Sequence, residues 1–147
     1  MRYAVVAVLG LVLVACSSPP PVIRAGDTCV GCKRALTDTK FGVQMIGTSG
    51  QTATFHTPGC LARYLKEHPA EAKDIFVTDY PSGKLIPVSR AMFVRAKIDE
   101  SSGERDYYAF GSVNEAVERA KEVTGRVVDW AAVRSAIESE KFEKKGN

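Results

Sequence analysis

Three cysteines constrain this chain more than any other feature. Two form the motif Cys29-Val30-Gly31-Cys32, and the third, Cys60, stands at the start of a predicted helix. In a small exported domain, such sulfurs form a metal site, a redox site or a covalent staple. The fourth cysteine of the chain, Cys16, is assigned below to a lipid, and the remaining odd number leaves at least one thiol free or bound to another partner.

The amino-terminal segment has the pattern of an export signal. Arg2 precedes a continuous apolar run that ends at Ala15 and is too short to span a bilayer comfortably. Residues 1–15 are therefore predicted to form a signal peptide. Small residues before Cys16 are similar to the cleavage box of bacterial lipoproteins, so Cys16 is predicted to become the lipidated first residue. A plain signal peptide cut near Ala15 is the alternative.

A tether is predicted to follow the lipid. Residues 16–26 contain Ser17 and a run of three prolines, which cannot build a core or donate backbone hydrogen bonds. We expect this segment to hold the domain at the extracytoplasmic, periplasmic side of the membrane, with Ser17 favouring the outer membrane. That compartment tolerates disulfides.

The first part of the domain predicts the order strand, strand, helix, strand. The strands are expected at about 41–46, 52–56 and 74–78. The first two strands should pair antiparallel across a turn. Thr57 is the candidate N-cap of the helix, with Pro58 in the first helical position. The predicted buried face of the first strand carries Phe41, Val43 and Met45.

The second part of the domain repeats this order. Its strands are expected at about 91–98, 106–110 and 126–129. Ser112 caps the helix between the last two strands, and Gly125 is its predicted carboxyl-terminal stop. The predicted apolar stripe of this helix is Val113, Ala116, Val117, Ala120 and Val123. A last helix, at about 130–142, should turn Val133, Ala136 and Ile137 inward.

The chain is thus predicted to have an α+β fold, with two similar ββαβ halves packed around one core and a C-terminal helix. The domain is expected at 27–142, with halves at about 27–83 and 84–130, and residues 143–147 form a tail. Only the first half carries cysteines, so the chemistry is assigned to that half.

Two interpretations of the cysteines involve no metal. A thioredoxin-like pair lies between a buried strand and a helix, which lowers the first thiol's pKa. Here a proline-rich tether precedes the pair and a strand follows it. The second interpretation is a structural disulfide within the pair, with Cys60 buried as a small, inert hydrophobe.

Two further interpretations involve a metal. Zinc needs four nitrogen or sulfur ligands, which Cys29, Cys32, Cys60 and His56 could supply. Cu(I) is selected by soft sulfur ligands and is satisfied by two or three of them. The positive end of the predicted helix should favour Cys60 as a thiolate. Two methionines are candidate thioether ligands that also suit the core, namely Met45 and Met92.

Composition and motifs exclude other classes of function. The formal net charge of +3, without a long basic block, gives no indication of nucleic-acid binding. The chain has no nucleophile elbow, phosphate loop or HExxH motif, so no enzyme is predicted.

From about Asp27 to Trp130 the chain resembles the NosL family, the lipoprotein copper chaperones that accompany nitrous oxide reductase. The resemblance includes the cleavage box at Cys16. Its other motifs are Asp27-Thr28-Cys29-Val30-Gly31-Cys32, Phe55 with Gly59-Cys60-Leu61-Ala62-Arg63-Tyr64-Leu65, Val77-Thr78-Asp79-Tyr80-Pro81-Ser82-Gly83, Ala91-Met92-Phe93-Val94 and Ala109-Phe110. The resemblance implies two ββαβ halves, periplasmic Cu(I) binding and delivery of copper to an apo-enzyme.

The chain departs from the family pattern at two places. Arg34 stands where the family usually has methionine two residues after the second motif cysteine. Asp106-Tyr107-Tyr108 stands where many members have a Pro-Met pair. Both differences remove a soft ligand.

Together these observations predict a lipoprotein that binds Cu(I) and delivers it to a copper enzyme such as nitrous oxide reductase. Cys29, Cys32 and Cys60 are the predicted ligands, and Met45, His56 and Met92 are additional candidates. The alternatives are a thiol–disulfide oxidoreductase and an interaction module stapled by zinc or a disulfide.

Overall fold

The computed structural model describes residues 22–143. It contains seven strands and three α-helices in the order expected for an α+β fold. The strands are β1 Val43–Gly47, β2 Thr52–Phe55, β3 Ala72–Thr78, β4 Leu85–Pro87, β5 Met92–Lys97, β6 Arg105–Phe110 and β7 Val127–Val128. The helices are α1 Pro58–Glu67, α2 Val113–Glu122 and α3 Trp130–Glu143. Among residues 22–143, none of the helices combines the length and the apolar character that a membrane-spanning helix requires.

The first sheet is antiparallel, with strand order β2-β1-β3-β4. Strand β1 lies between β2 and β3, so that Val43 pairs with Phe55 on one side and with Val77 on the other. All three side chains are fully buried, and for Val43 this agrees with the predicted buried face of the first strand. The predicted hairpin of β1 and β2 is therefore confirmed.

Helix α1 begins where its sequence signals place it. The Thr57 side chain accepts a hydrogen bond from the Cys60 N–H, and Pro58 takes the first helical position. Leu61 and Leu65 are buried on one face of the helix. That face packs the helix against the core and fixes the direction in which its amino terminus points.

The second sheet repeats this topology. Strand β5 lies between β6 and β7 and pairs antiparallel with both, as β1 does with β2 and β3. Helix α2 connects β6 to β7, and α3 packs against α1. The two predicted ββαβ units are thus present, with β4 as an added edge strand.

The buried side chains form two clusters. The larger cluster joins the halves, because it includes Phe55 and Leu61 with Phe93, Tyr107 and Val133. The smaller cluster lies within the second half and takes one residue from the first half. Its members are Phe41, Val94, Ala96, Tyr108, Phe110, Ala116 and Ala120.

Phe41 does not lie on the first strand as predicted. It ends a short 3-10 turn, Thr39–Phe41, which begins after the capping residue Asp38. Its ring meets Tyr108 edge to face, with ring centres 5.0 Å apart. A ring contact with the other half, which periodicity does not reveal, therefore places Phe41 in the smaller cluster.

The predicted buried faces of helices α2 and α3 are also partly wrong. Helix α2 packs through Ala116 and Ala120, while Val113 is 56% and Val117 37% exposed. In α3, Ala136 is exposed, although Val133 and Ile137 are buried as predicted. In both helices the contact uses a single row of residues four apart, which is narrower than the stripe in the sequence.

The end of α2 differs in detail from the prediction. Thr124, with φ of +52°, occupies the left-handed position after the helix, where Gly125 was expected to act as the stop. The N–H of Gly125 donates to Ala120 O at 2.8 Å, and that of Thr124 to Lys121 O at 3.3 Å. These bonds close the helix as a Schellman motif in which threonine takes the usual glycine place.

Candidate metal centre

The cysteine pair lies in a tight knuckle before β1. Thr28 and Ala35 form an antiparallel bridge at its base. The N–H of Cys29 donates to Arg34 O, and the N–H of Lys33 donates to Cys29 O, each at 2.9 Å. Lys33 adopts a left-handed φ of +62°, which reverses the chain. The knuckle brings the Cys32 N–H within 3.4 Å of Cys29 Sγ.

Backbone contacts hold the knuckle against the hairpin and the start of α1. The N–H of Val30 donates to Thr54 O of β2 at 2.9 Å. A Cβ at Gly31 would lie 3.3 Å from Cys60 O and 3.6 Å from the Phe55 ring. The distance to the carbonyl oxygen is shorter than Cβ atoms normally show. A residue without a side chain thus permits the close approach of the cysteine pair to Cys60.

The three sulfur atoms lie within 4.8 Å of one another. Cys29 is fully buried, Cys60 is 8% exposed and Cys32 is partly exposed. All three are free thiols, with no disulfide among residues 22–143. The structure therefore brings the predicted ligands Cys29, Cys32 and Cys60 to one point.

An open groove leads from solvent to the sulfurs. Cys32 and Cys60 line it together with Arg34, Tyr64 and Glu104, and its volume is about 320 Å³. Cys29 does not line this groove and lies on the buried side of the cluster. The site thus has a buried side and an open side.

The thiols differ in acidity. Hydrogen bonds from the Cys60 side chain and from the backbone N–H groups of Cys32 and His56 lower the pKa of Cys29 to about 4, against the opposing effect of burial. Donating to Cys29, together with burial, raises the pKa of Cys60 far above its ordinary range. The contact between the two sulfurs therefore favours ionisation at Cys29 and protonation at Cys60 in the metal-free site.

This distribution corrects the expectation that the helix end keeps Cys60 as a thiolate. The first free N–H groups of α1 are already bonded, since Gly59 donates to Asp106 and Cys60 donates to Thr57. Little of the helix's positive end is left for the Cys60 sulfur. The Cys60 thiol instead donates a hydrogen bond to the Cys29 sulfur and keeps its proton.

The additional candidate ligands lie apart from this cluster or within the core. The ring nitrogens of His56 are outside the group of atoms that meet within 4.8 Å, and its Nδ1 is buried with no partner among residues 22–143. Met92 packs against the smaller cluster, away from the cysteines. Met45 is buried in the larger cluster, which also contains Cys29 and Cys60.

Two charged residues of the second half approach the site without a signal in the sequence. Glu104 receives two hydrogen bonds from the Arg34 guanidinium, at 2.9 and 3.2 Å across the groove. Asp106 accepts from the start of α1. Their partners are 47 to 70 residues away, so no local pattern could assign them.

The donor set fits a single soft metal ion. Three sulfurs bound to one ion at about 2.3 Å lie about 4.0 Å apart in a trigonal arrangement. Because the three sulfurs already lie within 4.8 Å of one another, shifts of less than about an ångström would close them around an ion. Thiolate sulfur selects Cu(I) and zinc among the metals common in proteins.

A scan against protein-family models gives no match, and neither does a search of curated proteins. Among solved structures, the chain is similar to the copper chaperone NosL from Shewanella denitrificans, with a TM-score of 0.60 and 22% identical residues. The match covers 76% of this chain and 94% of that protein. The likeness confirms a NosL-like fold.

Proposed function

We propose that this chain is a copper-delivery protein that binds one Cu(I) through Cys29, Cys32 and Cys60 and passes it to a copper enzyme. The observation that carries the proposal is the meeting of three free sulfurs within 4.8 Å, two of which, those of Cys32 and Cys60, line an open groove. The shared fold with a copper chaperone supports it.

The number of ligands favours Cu(I) over zinc. Among the described histidine, cysteine and acidic residues, only these three meet in the cluster. Zinc would need a fourth ligand, such as water or a displaced His56. Cu(I) is satisfied by three sulfurs. A zinc- or disulfide-stapled module would also not need the partly exposed position of Cys32.

The gradient of burial suits delivery of the metal. Cys29 is buried and already a thiolate, so it provides a fixed first ligand. Cys60 loses its proton to solvent as its sulfur binds the metal. Cys32, at the open side, is the ligand that a partner's donor atoms can replace first. This order allows the metal to leave in steps without passing through a free ion.

A thiol–disulfide oxidoreductase is the second candidate, because the pKa of Cys29 is lowered to about 4. However, Cys29 is fully buried and no helix follows the pair directly. We therefore propose that the protein is not an enzyme. Insulin reduction that depends on Cys29 and Cys32 would favour this rival function.

The proposed location is the extracytoplasmic side of the membrane, with a lipid on Cys16 and Ser17 directing the protein to the outer membrane. The proposed client is nitrous oxide reductase or a similar copper enzyme. Both proposals rest on the sequence, and residues 1–21 lie outside the described part. Mass spectrometry of detergent-extracted protein should detect acylated Cys16, whereas an intact Met1 in the cytosol would contradict the anchor.

The test of the function is metal loading followed by transfer. Reduced protein is titrated with Cu(I) against a Cu(I) chelator and separately with zinc, and the loaded protein is then mixed with apo nitrous oxide reductase. We expect one tightly bound Cu(I) and transfer faster than from the chelator complex. Glu115→Ala, which changes the position in α2 that corresponds to Cys60, is the control. Zinc retained in preference to copper would contradict the proposal.

A further inference from the structure

A buried carboxylate from the second half anchors the helix that carries Cys60. Asp106 of β6 is 3% exposed. Its Oδ1 accepts the Gly59 N–H at 2.8 Å, and its Oδ2 accepts the Thr57 hydroxyl at 2.8 Å. Its own neighbour, the Tyr107 N–H, completes the set at 2.8 Å. The carboxylate thus spans from the second sheet to the first turn of α1.

The Thr57 hydroxyl connects this carboxylate to the ligand. A carboxylate oxygen only accepts, so the hydroxyl hydrogen must point at Asp106. The oxygen of Thr57 is then free to accept the Cys60 N–H, at 3.1 Å. The direction of both bonds is therefore fixed by Asp106. The backbone that carries the third sulfur is held by an oriented chain of two hydrogen bonds.

The close approach of the Asp106 carboxylate also restricts which residue can precede Cys60. A Cβ on Gly59 would lie 2.7 Å from Asp106 Oδ1 and 2.8 Å from its Cγ, closer than van der Waals contact allows. Glycine at this helical position is otherwise costly by up to about 1 kcal/mol relative to alanine. The glycine next to the ligand is thus explained by the approach of the carboxylate.

Arg63 is the charged residue that forms an ion pair with the Asp106 carboxylate, and this pair is long. Burial raises the pKa of Asp106, while its hydrogen bonds to Thr57, Tyr107 and Gly59 and the nearby Arg63 oppose that shift. Arg63 Nη1 lies 3.8 Å from Oδ2, and its side chain is half exposed. The three short hydrogen bonds, rather than the ion pair, hold the carboxylate in place.

We propose that Asp106 is a positioning residue for the metal site, which acts through Thr57 and the start of α1 to hold Cys60 beside the other two sulfurs. This inference rests on the proposed function, because it concerns the third ligand of the same site. Without Asp106, the domain would keep Cys29 and Cys32 in place, but Cys60 would no longer be held beside them.

The test compares Asp106→Asn with Asp79→Asn. Asp79 is the matched control, because it is also buried, at 8% exposure, and accepts the Gly111 N–H at 2.8 Å near the start of α2. In the metal-free, reduced protein, alkylation of each cysteine is followed by peptide mass spectrometry. We expect faster alkylation of Cys60 in Asp106→Asn and an unchanged rate in Asp79→Asn. Equal rates in both variants would overturn the proposal.

Copper binding provides the second readout. We expect Asp106→Asn to weaken Cu(I) binding by about 10–100-fold, as loss of an outer partner of a metal ligand does. In the Cys60→Ala background the same substitution should cause no further loss, since its effect passes through Cys60. An equal additional loss in that background would show a general structural effect and would overturn the proposal.

A pair of Thr57 variants keeps the test valid if Asp106→Asn does not fold. Thr57→Ser retains the hydroxyl and should leave Cys60 alkylation and copper affinity close to wild type, whereas Thr57→Val should change both. Identical behaviour of the two variants would contradict the proposed relay. If Cys60→Ala leaves the copper affinity of the wild type unchanged, the proposed three-sulfur function fails, while the alkylation result still decides the role of Asp106.

Discussion

The two halves of the molecule share a topology and differ in chemistry. Each is a ββαβ unit whose first strand is central, and each helix follows a hydroxyl cap, Thr57 or Ser112. Cys60 and Glu115 occupy the same third position of their helices. Cys60 is buried beside two other sulfurs, whereas Glu115 is exposed on the surface.

The difference arises from a segment that has no counterpart in the second half. The knuckle at 28–35 precedes only the first unit and places two thiols against the start of α1. The second unit is preceded by β4 and a short 3-10 turn. A repeated scaffold therefore supplies the helix terminus twice, while the added knuckle places two further sulfurs at one terminus and makes it a candidate metal site.

The halves also anchor each other. Asp106 of the second half bonds to the start of α1, and Asp79, which follows β3 of the first half, accepts from Gly111 before α2. A parallel bridge between Asp79 and Ala109 lies between them. The second half thus contributes to the site by holding the helix of the first half.

The largest expected effect is the loss of the buried thiolate. Cys29→Ser should weaken Cu(I) binding by more than about a hundredfold, because outer partners alone cost about 10–100-fold and Cys29 is a direct ligand in our account. Competition with a Cu(I) chelator measures this. Placing a cysteine at the corresponding helix position of the second half, as in Glu115→Cys, should add no tightly bound copper. Retention of wild-type affinity in Cys29→Ser would contradict the assigned ligand.

The next effect is the pH dependence of the metal-free protein. Folding lowers the pKa of Cys29 from 9.0 to about 4, so between these values the folded chain binds fewer protons than the unfolded chain. Its contribution to stability is therefore complete above pH 9.0 and is lost as the pH falls through about 4. Cys60, with its raised pKa, keeps its proton in the folded state across this window.

Ultraviolet absorbance of thiolate, followed against pH in the reduced protein, measures this titration. We expect a fall in absorbance near pH 4 that is absent in Cys29→Ser. Since the second half has no thiol, the signal belongs to the first half alone. A midpoint near the ordinary value of 9.0 would refute the proposed thiolate.

Equivalent substitutions at the second position of each helix should differ in stability. Gly59→Ala forces a methyl group against Asp106 and should cost about 1–3 kcal/mol of unfolding free energy, as overpacking does. Asn114→Ala, at the exposed counterpart in α2, should change it by less than about 0.5 kcal/mol. Chemical denaturation measures both, and equal values would show that the Asp106 contact is not tight.

The smallest effect concerns the exposed ionic link across the groove. Glu104→Gln weakens the pair with Arg34, which joins the halves as Asp106 does but in contact with water. Because exposed pairs contribute at most about 1 kcal/mol, we expect a small decrease in thermal stability that disappears at high salt. A loss as large as that of Gly59→Ala would reverse the ranking of the two links.

Local signals in the sequence predicted most of the fold. The β1–β2 hairpin, the Thr57–Pro58 helix start and the Ser112 cap depend on neighbours within a few residues, and the structure contains all of them. The approach of Cys60 to the cysteine pair required the first two strands to form a hairpin, and the structure contains both the hairpin and the cluster. These inferences succeeded because each rests on short-range geometry.

Long-range contacts account for what the sequence did not predict. The bond from Gly59 to Asp106 joins residues 47 positions apart, so neither the glycine nor the carboxylate carried a local signal. The contact between the Cys29 and Cys60 sulfurs decides which thiol ionises, against the expectation from the helix end. The exposure of Val113 depends on which row of α2 meets the sheet.

A count of the sulfur atoms bound to copper tests the proposed three-sulfur site most directly. X-ray absorption spectroscopy of the Cu(I)-loaded, reduced protein should give three sulfur ligands in the wild type and two in Cys60→Ala, with Glu115→Ala unchanged at three. The same two-sulfur shell in the wild type and in Cys60→Ala would contradict the account, because Cys60 would then not be a ligand and the groove would not be a three-sulfur copper site.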